Sequence, residues 1–202
     1  MRPLTAIVSN FRIYLVLNLL LYGWVICGMV FGICNQQART RLVNSINITI
    51  SHASGLNGAM HQSYKRKDIL SAIPLTFANN TFNNSFLLKA LPSLIFPFAG
   101  TIISMFEDFH MGVWIAPKSK EMLWRSLREM PTLILEAQAD VLISFGGCLI
   151  GKWTLFPKIS GFETRRRGYI EGVKAMFSLY WLIIPILLIA ATYEGFEVIY
   201  FR

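Results

Sequence analysis

Residues 13–33 read IYLVLNLLLYGWVICGMVFGI, an apolar run that Asn18 alone interrupts, with Arg12 in front of it. At about 1.5 Å per residue a helix over this run is about 31 Å long, which matches the hydrocarbon thickness of a bilayer. The run exceeds the roughly 7–15 residues of a secretory leader's core, and Phe31-Gly32-Ile33-Cys34-Asn35 offers no clear cleavage pattern. It reads as a retained transmembrane helix.

Working outward from it, three further apolar blocks suit the same role. They cover about 86–106, 132–150 and 173–193. Pro92 and Pro97 interrupt the first of them, and Lys89 near its start is expected to snorkel toward the headgroups. Pro131 stands where a helix opens, since its missing N–H costs least there. The expectation is a single all-α domain, residues 1–202, forming a polytopic bundle of about four spans. A polar loop is expected over 36–85 and a basic loop over 152–172. Met111 to Ala116, closed by Pro117, is too short to cross and reads as re-entrant or as a bent continuation. Ile69 to Phe77, with Pro74 inside, reads as an interfacial or packed loop element.

Composition agrees with this class. The chain of 202 residues is 54% hydrophobic and 15% charged, against roughly 25% charged in a soluble domain. Net charge is +8. The basic residues lie mostly between apolar blocks, so anionic lipid headgroups are their expected counter-charge and nucleic acid is not an expected partner. Arg165-Arg166-Arg167 and Lys65-Arg66-Lys67 are the candidate headgroup-facing or partner-docking runs. With an even number of spans both termini fall on one side, and loop charge leans weakly toward outside. Cys27, Cys34 and Cys148 form no Cys-x-x-Cys pair and are expected as small buried hydrophobes.

The chemistry-bearing residues are acids inside apolar sequence, each costing roughly 2.5–3.5 kcal/mol at mid-bilayer. Glu136 and Asp140, with Ser144, Gly147 and Gly151, form one helical face. Lipid cannot satisfy that face, so it should pack inward, against Gly28/Gly32 of the first span or Ala190/Glu194 of the last. Either a structural hydrogen-bond network or a proton, cation or substrate path suits these residues. Glu194 can reach the interior, and Glu197 one turn on is expected to reach water. Glu107, Asp108 and His110 stand together, but His52 and His61 lie far away in sequence, so no metal site is expected. No phosphate-binding glycine loop, nucleophile elbow or His-Glu-x-x-His is present, and no cofactor or enzymatic role is expected.

Several of these residues, taken in order, resemble the stage II sporulation protein M family of prokaryotic membrane proteins. Gly28-Met-Val-Phe-Gly32 is similar to the family's Gly-x-x-Phe-Gly close of the first span. Asn83-Asn84, or Asn79-Asn80, matches its Asn-Asn pair, and Gly100 its interior glycine. Asp108 to Gly112 keeps only the last glycine of an Asn-Gly-x-x-x-Gly-like exit. Pro131, Glu136 and Gly147-Cys-Leu-Ile-Gly151 follow its third span, with Thr132 and Leu133 in place of His-Gly. Ala190 to Phe196 resembles its closing motif. The likeness runs from Gly28 to Phe196. It implies a multi-pass protein of the prokaryotic cytoplasmic membrane. The implied role is a non-catalytic scaffold or accessory subunit, partnered by lipids, by other membrane or envelope proteins, or by further copies of itself. The alternative is a transporter or permease subunit that moves an ion or small solute past the third-span acids.

Overall fold

The computed structural model describes residues 2–201, apart from the side chain of residue 50. Among the described residues every regular element is helical: α1 (Pro3–Ser9), α2 (Phe11–Cys34), α3 (Gln36–Ser51), α4 (Gly55–Lys65), α5 (Ile69–Ala78), a π-helical segment (Asn79–Ala90), α6 (Leu91–Ile95), α7 (Ala99–Ile115), α8 (Lys120–Leu155) and α9 (Arg165–Phe201). Three of them, α2, α8 and α9, are long and apolar enough to cross a membrane.

The run expected at 13–33 becomes α2 almost unchanged. Elsewhere the boundaries move. The expected polar loop 36–85 is largely helical, and α5, the π-helical segment and α6 continue without a break. Asp68 starts this rod by accepting a hydrogen bond from the Ser71 N–H, an N-cap that the sequence reading did not use. The expected span 86–106 therefore does not exist as one helix. The chain turns at residues 96–98, and α7 runs on through Met111 to Ile115, so those residues complete a helix and are not a separate piece. Pro97 sits in the turn. Ser93 closes it by donating to the Lys89 carbonyl (2.8 Å) and accepting from the Gly100 N–H (2.8 Å).

The third expected span lies inside a much longer helix. Ser119 caps α8, which is 36 residues long and carries Pro131 in its interior. The charged stretch before Pro131 is helical. The basic loop 152–172 likewise shrinks to a connection over 156–164, and Arg165-Arg166-Arg167 form the first turn of α9.

Contacts at the helix ends fix the arrangement. Lys152 at the end of α8 donates to Asn10 before α2 (2.7 Å), and Tyr169 early in α9 donates to the Leu94 carbonyl (3.0 Å). At the other end Arg39 donates to the Trp114 carbonyl (3.1 Å), Ser126 to the Ile115 carbonyl (2.8 Å) and Tyr193 to the Arg128 carbonyl (3.0 Å). Among the described residues, α2, α7 and α9 thus run one way, and the rod 69–95 and α8 run the other. The two ends of the chain fall at opposite ends of the bundle, and so do the two basic runs. The expectation of both on one side came from counting an even number of passes.

The core is built on the α8–α9 pair. Val141, Phe145 and Leu149 interlock with Met176, Leu179 and Ile183, and Leu17 and Leu21 of α2 close one side. Backbones approach closely where side chains vanish. A Cβ on Gly168 would strike the Trp153 carbonyl, and one on Gly172 would lie 2.7 Å from the Ile150 Cα. This Gly-x-x-x-Gly pair went unread because it fell in the supposed loop. Gly28 of α2 and Gly112 of α7 pack reciprocally, against the backbones at Phe109 and Val25, while Gly32 meets Ala116. The partner of the Gly28/Gly32 face is therefore α7, and not the Glu136–Gly151 face.

Candidate functional site

The Glu136–Gly151 face does turn inward, and what it meets is the rod 69–95 with its turn. Gly147 lies against the Pro97 carbonyl, and a Cβ on Gly151 would be 3.1 Å from Pro97 Cβ and Phe98. Gly100 sits under Ser93 across the same turn. One level up, Asp140 accepts from the Lys89 ammonium (2.6 Å). Above that, Glu136 accepts from the Asn80 amide (2.6 Å). Ser144 is fully buried, and its hydroxyl has no hydrogen-bond partner among the described residues.

Lys89 is the centre of the site. It does not snorkel: its side chain is 4% exposed, and its ammonium touches Glu107 (2.7 Å) as well as Asp140. Snorkelling was expected because the helix was taken to begin near residue 86. It begins at Ile69, which carries Lys89 well into the rod. The π-helical turns add to this. Their wider i→i+5 spacing re-aims side chains, and π segments in helices frequently mark functional sites. Here Asn83 donates to Asn79 (2.9 Å) and Asn84 to Asn80 (3.3 Å), so the Asn-rich stretch braces itself inside the fold.

Asp108 follows Glu107 on α7. It is 6% exposed, and its Oδ2 has no hydrogen-bond partner among the described residues. Glu194 of α9 lies near enough to add a like charge beside Glu136. Glu197, expected in water, is buried at 4% exposure. Among the described residues no three His, Cys, Asp or Glu side chains converge as a metal site.

These groups form one wall of a cavity of about 890 Å³. Lys89, Glu107, Asp108, Glu136 and Asp140 face it, with Asn80, Asn84 and His110 beside them. The rest of the lining is largely apolar, including Val25, Ile26 and Met29 from α2 and Leu42 and Ile46 from α3. Tyr22 stands at the junction, donating to the Ile134 carbonyl (3.0 Å) and within electrostatic range of Asp108. A single ammonium among four carboxylates leaves negative charge in excess, and an apolar interior does not tolerate that without protons or cations.

The remaining expected site residues lie apart from the cavity. Arg165, Arg166 and Arg167 are exposed at one end, and Lys65, Arg66 and Lys67 at the other, with Lys67 turned to positive φ (55°). Outside the spans, hydrogen bonds from Ser71 hold the Asp68 carboxyl below the usual carboxylate range, and burial with nearby Lys65 lowers His61. Cys27 and Cys34 are exposed on α2, contrary to the expected burial, and Cys148 is half-buried.

Glu107, Asp108, Asn80 and Lys89 were missed as site residues. The available signal was charge placement: Lys89 and the Glu107-Asp108 pair flank the Pro97 turn, so a hairpin brings them level.

Comparison with known proteins found no match among family models, curated proteins or solved structures.

Proposed function

We propose that this chain is a five-pass membrane protein that admits a cation, protons included, to its interior cavity and serves as a transporter or permease subunit. The five passes are α2, the rod 69–95, α7, α8 and α9. The observation that carries the reading is the charge imbalance at the cavity wall, where Lys89 faces Glu107, Asp108, Glu136 and Asp140. Intramembrane acids are costly and commonly mark proton or ion pathways. A purely structural network would be expected to balance its charges and satisfy its oxygens, whereas Asp108 Oδ2 has no hydrogen-bond partner among the described residues. Membership of the stage II sporulation protein M family and a place in a prokaryotic cytoplasmic membrane are part of this proposal, and rest on the motifs quoted above.

The test is proton flux in proteoliposomes under an imposed potential, with Asp140→Asn as the comparison. Flux that the substitution abolishes supports the reading. Absence of flux under every proton and alkali-cation gradient overturns it.

A second reading, the scaffold, draws on the first turns of α8. Leu123, Trp124 and Leu127 are exposed there beside Lys120, Arg125 and Arg128, a surface that suits a headgroup layer or a partner. Co-purification of a stoichiometric membrane partner, lost on Trp124→Ala, favours it over transport.

A further inference from the structure

We infer that the cavity binds a lipophilic organic cation, a molecule with an apolar body and an ammonium-like head, and this rests on the transport reading above. Volume comes first. At about 890 Å³ the cavity is near the upper end of small-molecule sites, roughly 300–1,000 Å³, and far larger than a dehydrated ion needs. Its chemistry is divided. Val25, Ile26, Met29 and Leu42 offer no hydrogen bonds, so water alone fills the space beside them poorly. Glu107, Asp108, Glu136 and Asp140 in the same lining carry the carboxylate excess.

The unpartnered Asp108 Oδ2 points to where the head belongs. It is buried, and its residue lines the cavity, yet no donor among the described residues reaches it. Lys89 is already held by Glu107 and Asp140. A positively charged head at Asp108 would supply the missing charge and the missing contact together. Tyr22, beside Asp108, and Trp114 add aromatic faces, which attract cations when desolvated. A bare metal ion fits less well, because no three ligating side chains converge among the described residues. A neutral lipid chain would fill the apolar part and leave the carboxylates as they are. An organic cation answers both parts of the lining.

The experiment uses the full chain in lipid nanodiscs and radiolabelled tetraphenylphosphonium as probe, with the isosteric anion tetraphenylborate assayed in a separate measurement because the two ions precipitate together. The expected result is saturable binding of the cation but not of the anion, weakened at least tenfold by Asp108→Asn. The surface variant Leu70→Ala should bind as the parent does. As a check independent of any substitution, bound tetraphenylphosphonium should protect Asp108 of the unsubstituted protein from dicyclohexylcarbodiimide, read by mass spectrometry. Equal binding of the anion, unchanged affinity in a folded Asp108→Asn variant, or unprotected Asp108 overturns the inference. Proton flux sensitive to Asp140→Asn without tetraphenylphosphonium binding overturns this inference and leaves transport standing. Loss of both removes both.

Discussion

Replacing Lys89 by methionine keeps the length and apolar stem of the side chain and deletes the ammonium between Asp140 and Glu107. The Lys89 and Asp140 side chains are 4% and 15% exposed, so water recovers little of the lost attraction, whereas Glu107 at 40% is more open to its surroundings. Breaking a buried pair from one side costs about 3–5 kcal/mol, and the more exposed Glu107 contact adds no more than about 1 kcal/mol. At roughly 2–4 °C per kcal/mol for a chain of this size, the unfolding midpoint should fall by about 6–24 °C. Tryptophan fluorescence during thermal unfolding, in one detergent throughout, reads the shift. Lys89→Met combined with Asp140→Leu removes the orphaned charge as well, and should recover most of the loss, because apolar replacement of a buried pair is often neutral or stabilising. An unshifted midpoint in the single variant, or a double variant less stable than the single one, refutes the pairing and its energetics.

Gly28→Leu should destabilise by more than about 1–3 kcal/mol, because the added atoms meet the Phe109 backbone, which cannot rotate away. Gly23→Leu is the comparison, since nothing lies within 4 Å of a Cβ there, and equal midpoints for the two would sink the α2–α7 contact. Gly147→Leu should disrupt folding more than Asp140→Asn does, with the order reversed for flux; size-exclusion profiles and proteoliposome assays read the two halves. The Asp68 cap should be complete above about pH 4 and lost as pH falls through the lower folded value, since a depressed carboxyl pKa stabilises only while ionised. The ratio of pepsin cleavage between α4 and α5 in the parent to that in Asp68→Asn, which caps without titrating, should then rise on acidification, and a constant ratio would refute the cap. Lipid-phase maleimide should label Cys27 faster than Cys148, and equal rates would contradict the exposed face of α2.

The sequence was informative where hydrophobicity alone decides structure. Residues 13–33 are apolar apart from Asn18, and α2 follows them within two residues at either end. The inward face from Glu136 to Gly151 was legible because helical periodicity places those residues together. The rod 69–95 was not, for two reasons. Its apolar first turns, Ile69 to Ala78, are separated from the later apolar residues by the polar, Asn-rich run 79–85, so hydropathy set the helix too late. Its π-helical turns also break the 3.6-residue period on which face assignment depends. Lys89 was misplaced as a direct result, and Glu107 and Asp108 went with it, because their role exists only once the turn at 96–98 lays α7 beside the rod. The α8 and α9 boundaries failed differently. Both helices run past the apolar stretch, at about 54–56 Å against roughly 30 Å of hydrocarbon, and charged residues at their ends gave no reason to stop or continue.

The Ser93-laced turn also bears on biogenesis. It joins Lys89 and Glu107 through a short corner, so the two charges can meet as soon as α7 leaves the ribosome, while Asp140 is still inside the exit tunnel. Under the five-pass reading, a lysine presented singly costs the insertion machinery up to about 2.5–3.5 kcal/mol, the figure for the centre of a span. Presented as a hairpin, the pair enters with its charges mutually neutralised. On the five-pass reading proposed above, the segment from Ile69 to Ile115 partitions into lipid as one unit, and α8 arrives afterwards to claim a lysine already in place.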